Sequence, residues 1–188
     1  EAFGKHAPRP FAILRAEGFA ACGAFAPSLK SPRVFDWLSA HLTASPPVAI
    51  LNATAFSAKA DDGATPFDAA PCPVFQVALS TARRRDWLAS DRGLSPADLA
   101  MHVVLPEVDG RILAGLVSHK SPGNRHPELQ FSRFAHRPDQ TRIEAVVQRV
   151  SHWHRLAAAS AADRQLAVIL STYPGRAHQM AHAVGLDA

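Results

Sequence analysis

The stretch Pro47–Phe56, PVAILNATAF, decides the fold that the sequence predicts. Its apolar run, Val48 to Leu51, is short and is bounded by proline and asparagine, as is typical of a strand buried on both faces. Val74 to Leu79 is a second such run, and Leu166 to Leu170 is a third. Because strands of this kind need cover on both sides, we expect an α/β fold with a largely parallel sheet, helices on both faces and a Rossmann-like arrangement.

Amphipathic segments separate these runs. The patterns predict a helix over Phe11 to Glu17, an extended segment over Phe19 to Phe25, and a helix over Pro32 to Leu42. Thr141 to Glu144 reads as a capping box that opens a long helix with apolar residues at three-four spacing. We expect either one α/β domain over residues 1–188 or two α/β lobes, approximately 1–135 and 136–188.

Composition excludes several classes of protein. With 188 residues, 47% hydrophobic and 19% charged, the chain can bury a core and is not disordered. No apolar run reaches the roughly 20 residues that span a bilayer, and no basic leader is visible, so we expect a cytoplasmic protein without a membrane partner. Cys22 and Cys72 lack the spacing of a structural zinc site.

The chain carries a net charge of +4, but nothing in it predicts a nucleic-acid partner. Its one dense basic cluster, Arg83 to Arg85, has no interleaved aromatic residues on which bases would stack. No glycine-rich phosphate loop is present, so we expect that this chain does not bind ATP itself. No G-x-S-x-G motif is present either, which argues against a hydrolase.

A second informative segment, Arg92 to Lys120, concentrates titratable residues around a helix end. Ser95 is a good N-cap, and Asp98 three residues later completes a capping-box pattern. Pro106 pushes Leu105 toward extended geometry, which predicts that the helix ends there.

The same helix end predicts a convergence of His102, Glu107 and Asp109. Leu99, His102 and Val103 would share one face of the helix, and the two carboxylates would follow in a turn. The alternative is that the imidazole packs in the core while the carboxylates cap and solvate the turn.

A histidine pair near the end of the sequence is a weaker metal candidate. His178 and His182 are four residues apart, which on a helix places both imidazoles on one face. The segment offers no obvious third ligand, and a solvent-exposed pair is the alternative.

Four motifs carry a family resemblance, in this order along the chain: AILNATAF (Ala49–Phe56), PVFQVALS (Pro73–Ser80), RGLSPADLAMHVVLPEVDGR (Arg92–Arg111) and YPG (Tyr173–Gly175). Together they resemble the CobN family, the large subunit of aerobic cobaltochelatase, which is related to the tetrapyrrole-binding H subunit of magnesium chelatase. Members of this family are far longer than 188 residues. The resemblance therefore implies an internal fragment, which we expect to be inactive alone.

The resemblance also implies a reaction and its participants. Cobalt would be the ion inserted, a corrin precursor the tetrapyrrole, and cobalamin biosynthesis the context. ATP would be used by partner subunits that form an AAA+ motor. Insertion needs ligands for the ion and a base for the pyrrolic protons, so we assign His102 and Glu107 to the metal and Glu107 and Asp109 to catalysis.

Four further residues are predicted to bind the tetrapyrrole. Asn52 and Thr54 follow a predicted strand, where ligands bind in wound sheets, while Arg111 and Lys120 would pair with substrate carboxylates. We expect the Glu107 loop to face Asn52–Phe56 across a cleft. Alternatively, Asn52 caps a turn and the two cations are solvated. The chain would then be a structural or docking domain of this subunit, or of a magnesium chelatase H-type subunit.

Overall fold

A computed structural model describes residues 8–167, in which groups of helices are separated by pairs of strands. The elements, in chain order, are α1 (Pro8–Ala16), α2 (Pro32–Ala44), β1 (Ile50–Asn52), β2 (Val74–Ser80), α3 (Arg84–Leu88), α4 (Pro96–Leu99), α5 (Leu105–Val108), β3 (Ile112–Arg125), β4 (Ser132–Pro138) and α6 (Gln140–Ala158). A π-helical turn, Ala100–Val104, joins α4 to α5. Short 3₁₀ turns occur at Pro66–Ala69 and Ala161–Asp163.

The strands form one mostly parallel sheet in the order β1-β2-β3-β4. β1 pairs with β2 in parallel, with Ile50 opposite Val74, and β2 pairs with β3 in parallel. The predicted parallel pairing of these two segments is thus confirmed, and the fold is mixed α/β. The predicted bounds of the first strand are wrong, because β1 begins at Ile50 and Val48 lies outside it, 53% exposed. β4 joins β3 in an antiparallel pair that the sequence did not predict. The Rossmann-like arrangement stays a prediction.

The chain divides into two compact units, Glu1–Arg155 and Leu156–Ala188. All four strands belong to the first unit. In the second unit, the residues that the structure describes are the end of α6, the 3₁₀ turn and the segment that follows it. The prediction of one domain or two lobes stays a prediction. None of the helices described is long and apolar enough to cross a membrane.

The main core lies between the sheet and α6. Phe75 and Val77 of β2 pack against Val146 and Val150 of α6, together with Ala114 of β3. Every second residue of β2 therefore points toward this helix. A second cluster joins Leu42 of α2 to Ala58 and the Pro66–Ala69 turn. The amphipathic α2 and the long α6 are both confirmed, because their apolar stripes have partners.

The structure differs from the sequence prediction at the start of α6 and at Phe19 to Phe25. The cap of α6 is Asp139, whose backbone oxygen accepts from the Ile143 N–H at 3.0 Å, so the predicted capping box from Thr141 to Glu144 is wrong. Phe19 to Phe25 has no regular secondary structure. The predicted strand from Leu166 to Leu170 lies mostly outside the described residues, and its first two positions are irregular.

Candidate active site at the sheet edge

A continuous helical segment, residues 96–108, forms one wall of the candidate site. Its start at the Ser95 N-cap is confirmed, since the Ser95 hydroxyl accepts a hydrogen bond from the Asp98 N–H at 3.1 Å. The predicted capping box is wrong, because the Asp98 carboxylate accepts from Thr81 and not from the Ser95 N–H. The predicted end at Leu105 is wrong, because α5 continues to Val108. A wider turn precedes Pro106, in which the Leu105 N–H bonds to the oxygen of Ala100. This π-helical turn gives the proline space that a regular ladder denies it.

The extra residue in that turn changes which side chains face inward. His102 and Val103 are buried, whereas Leu99 is 45% exposed. The predicted common face of Leu99, His102 and Val103 is therefore wrong. A π-helical turn rotates the residues after it relative to those before it, so three-four spacing no longer marks one side.

Asp109 lies in the turn after α5 with its side chain fully buried. Its carboxylate accepts hydrogen bonds from the Ser57 hydroxyl and the Ala58 N–H, each at 2.6 Å. Gly110 follows with a φ of 78°, a left-handed conformation that glycine adopts without strain. This sharp turn brings Asp109 back onto Arg111, which it meets at 2.7 Å.

Arg111 is buried with three partners around its guanidinium. One terminal nitrogen donates to Asp109, the other donates to the side-chain oxygen of Gln76 at 3.1 Å, and the group lies 5.3 Å from the centre of the Phe67 ring. Burial lowers the pKa of Arg111, and the charge of Asp109 opposes that shift. The predicted role of Arg111 in holding a substrate carboxylate stays a prediction, although its terminal nitrogens already serve internal contacts.

Asn52 and Thr54 join the same network from the end of β1. The Asn52 amide donates to the oxygen of Gln76 at 2.8 Å, and the Thr54 hydroxyl donates to Asn52 at 3.0 Å. We call Asn52, Thr54, Gln76, Asp109 and Arg111 the polar network. The structure thus brings four of the predicted site residues together, with Gln76 between them. Sequence reasoning missed Gln76, although a glutamine inside an apolar strand is a visible signal.

The segment after β1 and the helical segment also meet through their backbones. The Phe56 N–H donates to the oxygen of Met101 at 2.8 Å, and the Lys59 ammonium donates to the oxygen of Val108 at 2.8 Å. Residues 52–59 therefore lie directly against residues 101–109. The cleft predicted between Asn52–Phe56 and the Glu107 loop stays a prediction.

The other predicted residues are not members of the polar network. Glu107 is exposed, Lys120 is half-buried on β3, and His102 is buried. Within residues 11–167, no hydrogen bond links their side chains to the polar network. His178 and His182 lie outside the described residues.

His102 instead belongs to a second group, which the sequence did not reveal. Asp98 is fully buried, and one carboxylate oxygen accepts from the N–H and hydroxyl of Thr81 at 2.9 and 3.0 Å. The other oxygen of Asp98 and Nδ1 of His102 have no partner in the described part of the chain. Burial lowers the pKa of His102, and Asp98 opposes this shift.

His136 completes this histidine cluster, which comprises Asp98, His102 and His136. Nδ1 of His136 lies 3.1 Å from the Ser118 hydroxyl, across the β3–β4 pair. Burial lowers the pKa of His136, and the nearby charge of Lys120 lowers it further. Because β4 was not predicted, its pairing with β3 was invisible in sequence, and so was the cluster. Among residues 8–167, no group of three or more His, Cys, Asp or Glu is arranged to hold a metal ion.

These features define a class of protein, an α/β domain with a buried polar network at the edge of a mostly parallel sheet. The sequence profile of the CobN/Magnesium Chelatase family matches residues 6–188, so the chain belongs to that family. No solved structure matches the chain.

Similar proteins support the membership of the chain in this family. The chain is 35% identical to the aerobic cobaltochelatase subunit CobN of a Sinorhizobium species, over 93% of this chain and 14% of that protein. It is 36% identical to CobN of Pseudomonas aeruginosa, over 61% of this chain and 9% of that protein. An uncharacterised protein of Methanocaldococcus jannaschii is 31% identical over 62% of this chain. The chain thus spans a small part of each relative's length.

Proposed function

We propose that the chain is part of the tetrapyrrole-binding, metal-inserting large subunit of an ATP-dependent cobaltochelatase, which inserts cobalt into a corrin precursor in the cytoplasm during cobalamin biosynthesis. The observation that carries the proposal is the match to the CobN subunit of Sinorhizobium, which extends over 93% of this chain. Tetrapyrrole binding and AAA+ motor subunits as partners belong to the same proposal.

Cobalt insertion requires a group that accepts protons and a group that guides the metal ion, and we assign these two roles to different residues. When Co²⁺ enters the ring, two pyrrolic N–H bonds break and their protons must reach a base. Glu107 is an exposed carboxylate beside the buried Asp109, so a bulky macrocycle can reach it without disturbing the core. We assign proton acceptance to Glu107 and give His102, whose Nδ1 has no partner, the task of guiding the ion.

In this proposal the polar network stabilises the surface against which the macrocycle binds. Asp109 and Arg111 position the turn that follows α5, the helix that carries Glu107. The predicted contacts for substrate side chains are Asn52, Thr54, Arg111 and Lys120. In this proposal Asp109 acts through the geometry of the turn, because its oxygens are already occupied by Ser57, Ala58 and Arg111.

The test uses the full-length subunit reconstituted with its motor subunits. Glu107→Gln keeps the shape of the side chain and removes the base, so we expect cobalt insertion to fall about a hundredfold or more while tetrapyrrole binding stays near normal. Glu128→Gln, at an exposed glutamate in the β3–β4 connection, is the matched control and should have no effect. His102→Ala should raise the cobalt concentration needed for half-maximal rate. Near wild-type turnover of Glu107→Gln would contradict the catalytic assignment.

A second candidate function is docking of this domain onto the remainder of the subunit. Four apolar side chains of residues 96–108 are exposed, namely Leu99, Val104, Leu105 and Val108. An apolar strip of this kind is typical of a surface that another protein segment covers. If Glu107→Gln is active and Val108→Asp blocks assembly, the docking function is the correct one.

A further inference from the structure

Phe56 has a backbone conformation that a phenylalanine seldom adopts. Its φ is 65°, in the left-handed region, where a bulky side chain is strained and glycine is the usual residue. The side chain is 53% exposed, so burial of the ring offsets only part of this strain. Backbone outliers of this kind cluster at ligand clamps and active sites, where the surrounding structure holds them in place. The ring of Phe56 therefore calls for a role other than filling the core.

The polar network holds Phe56 in this conformation. Its N–H donates to the oxygen of Met101 at 2.8 Å. The next two residues, Ser57 and Ala58, donate to the buried carboxylate of Asp109, each at 2.6 Å. The backbone is thus fixed at the aromatic residue and directly after it. A ring that is already held in place loses little freedom when a ligand binds, which favours affinity.

The surface next to Phe56 is apolar and has a positive charge at its edge. Val104 and Leu105 are exposed in the helical segment that accepts the Phe56 N–H. The Lys59 ammonium donates to the oxygen of Val108 at 2.8 Å, which uses one of its three donors. Such a surface matches a ligand with a flat apolar face and carboxylates around its rim. A tetrapyrrole has this chemistry.

From this arrangement we propose that the Phe56 ring packs against the flat face of the tetrapyrrole and positions the macrocycle beside Glu107. The inference rests on the proposed function, which supplies the ligand, and adds the residue that holds its face. Removing an aromatic side chain on which a flat conjugated ring stacks weakens binding by about fivefold to a hundredfold. Phe56 takes no part in proton transfer, so its contribution is to binding and orientation.

The test measures binding of a metal-free corrin with peripheral carboxylates to the full-length subunit, through quenching of tryptophan fluorescence. We expect Phe56→Ala to raise the Kd at least about tenfold and Phe56→Tyr, which keeps an aromatic ring, to change it less than about twofold. With the motor subunits present, Phe56→Ala should raise the KM for the corrin and leave the KM for cobalt unchanged. Phe131→Ala, at an exposed phenylalanine in the β3–β4 connection, is the matched control and should change neither value.

A glycine variant separates the ring from the backbone strain. Phe56→Gly and Phe56→Ala both lack the ring, but only glycine adopts the left-handed conformation without strain. In thermal unfolding of the chain, the glycine variant should therefore have a Tm about 2–4 °C above that of the alanine variant. Their affinities for the corrin should nevertheless be equally low. A purely structural role of Phe56 would instead make the affinity follow the stability.

Each of the other outcomes would overturn the inference. Equal affinity of the wild type and Phe56→Ala would do so and leave the proposed function intact, whereas a wild-type subunit that binds no corrin would overturn both. An equal loss in Phe131→Ala would show that exposed aromatic rings act without regard to position. If Phe56→Ala kept its affinity but no longer assembled with the motor subunits, the ring would belong to a docking surface.

Discussion

Replacing Asp109 by Asn tests whether the polar network is a structural element. The substitution keeps the size of the side chain and removes its charge. In the structure, this carboxylate is fully buried and faces three donors, from Ser57, Ala58 and Arg111. An amide can accept from some of these donors, but it cannot neutralise the guanidinium.

The expected loss follows from the burial of both partners. The Arg111 side chain is 1% exposed and its partner 0% exposed, so the remaining charge would be almost without water. Breaking a buried pair by removing one partner destabilises a protein by about 3–5 kcal/mol. The exposed Arg85–Asp86 pair provides the contrast, because pairs of this kind contribute about 0–1 kcal/mol. We therefore expect Asp109→Asn to cost several times more stability than Asp86→Asn.

The measurement is urea denaturation of the chain, followed by circular dichroism, for both variants. A second pair of variants separates charge from packing. Arg111→Met should be destabilising by itself, whereas Asp109→Leu combined with Arg111→Met should recover much of the loss, since no charge then remains buried.

A cost below about 1 kcal/mol for Asp109→Asn would refute the reasoning, because it would show that Arg111 finds water or another partner. If the same variant were stable but abolished cobalt insertion in the full-length complex, Asp109 would be the catalytic residue that the sequence predicted.

Three further predictions concern stability. Burial lowers the pKa values of His102, His119 and His136, so folding stability should be complete above about pH 6.5 and should fall as the pH drops below it, by at most about 1.4 kcal/mol per pH unit for each histidine; thermal unfolding between pH 7.5 and 5 checks this, and a flat profile would contradict it. Asp139→Ala removes the cap of α6 and the partner of two arginines, so the midpoint of urea denaturation should fall by the equivalent of about 1–2 kcal/mol. Gly115→Ala should be destabilising by about 1–3 kcal/mol, because the residue has a φ of 148° and the new Cβ would lie 3.3 Å from Val146; unchanged thermal unfolding would argue against that strain.

Local sequence patterns predicted the strands and helices that pack against other elements of the fold. The second half of the run at Val48 to Leu51 and the run at Val74 to Leu79 lie in neighbouring parallel strands, and the apolar stripes of α2 and α6 are packed against other elements. These patterns reflect burial alone, and burial is visible in the composition and spacing of the apolar residues. The predicted helix end at Leu105 was wrong because a π-helical turn accommodates Pro106. The prediction considered only the residue before proline and took no account of such a turn.

Long-range pairing explains what the sequence did not show. β3 passes through a polar stretch from Ser118 to Asn124, which has no strand period, and it is held in place by pairing with β4. The group formed by Asp98, His102 and His136 exists only because of that pairing. The contact between the rings of His119 and Trp87 likewise depends on how α3 approaches the strand. Neither arrangement follows from spacing along the chain.

The carboxylates of Glu107 and Asp109, which lie two residues apart in the sequence, differ in their exposure to solvent. A base that takes protons from a rigid macrocycle must approach the ring nitrogens within hydrogen-bonding distance, so it has to lie at the surface of the domain. Asp109 is enclosed by Ser57, Ala58 and Arg111, and exposing it would break the contacts that hold the turn. Glu107, two residues earlier, is exposed and lies in α5, directly before that turn. In the proposed function, the network therefore stabilises the site and Glu107 is the group that reaches the substrate, and for that reason we assign proton acceptance to Glu107 and the support of its position to Asp109.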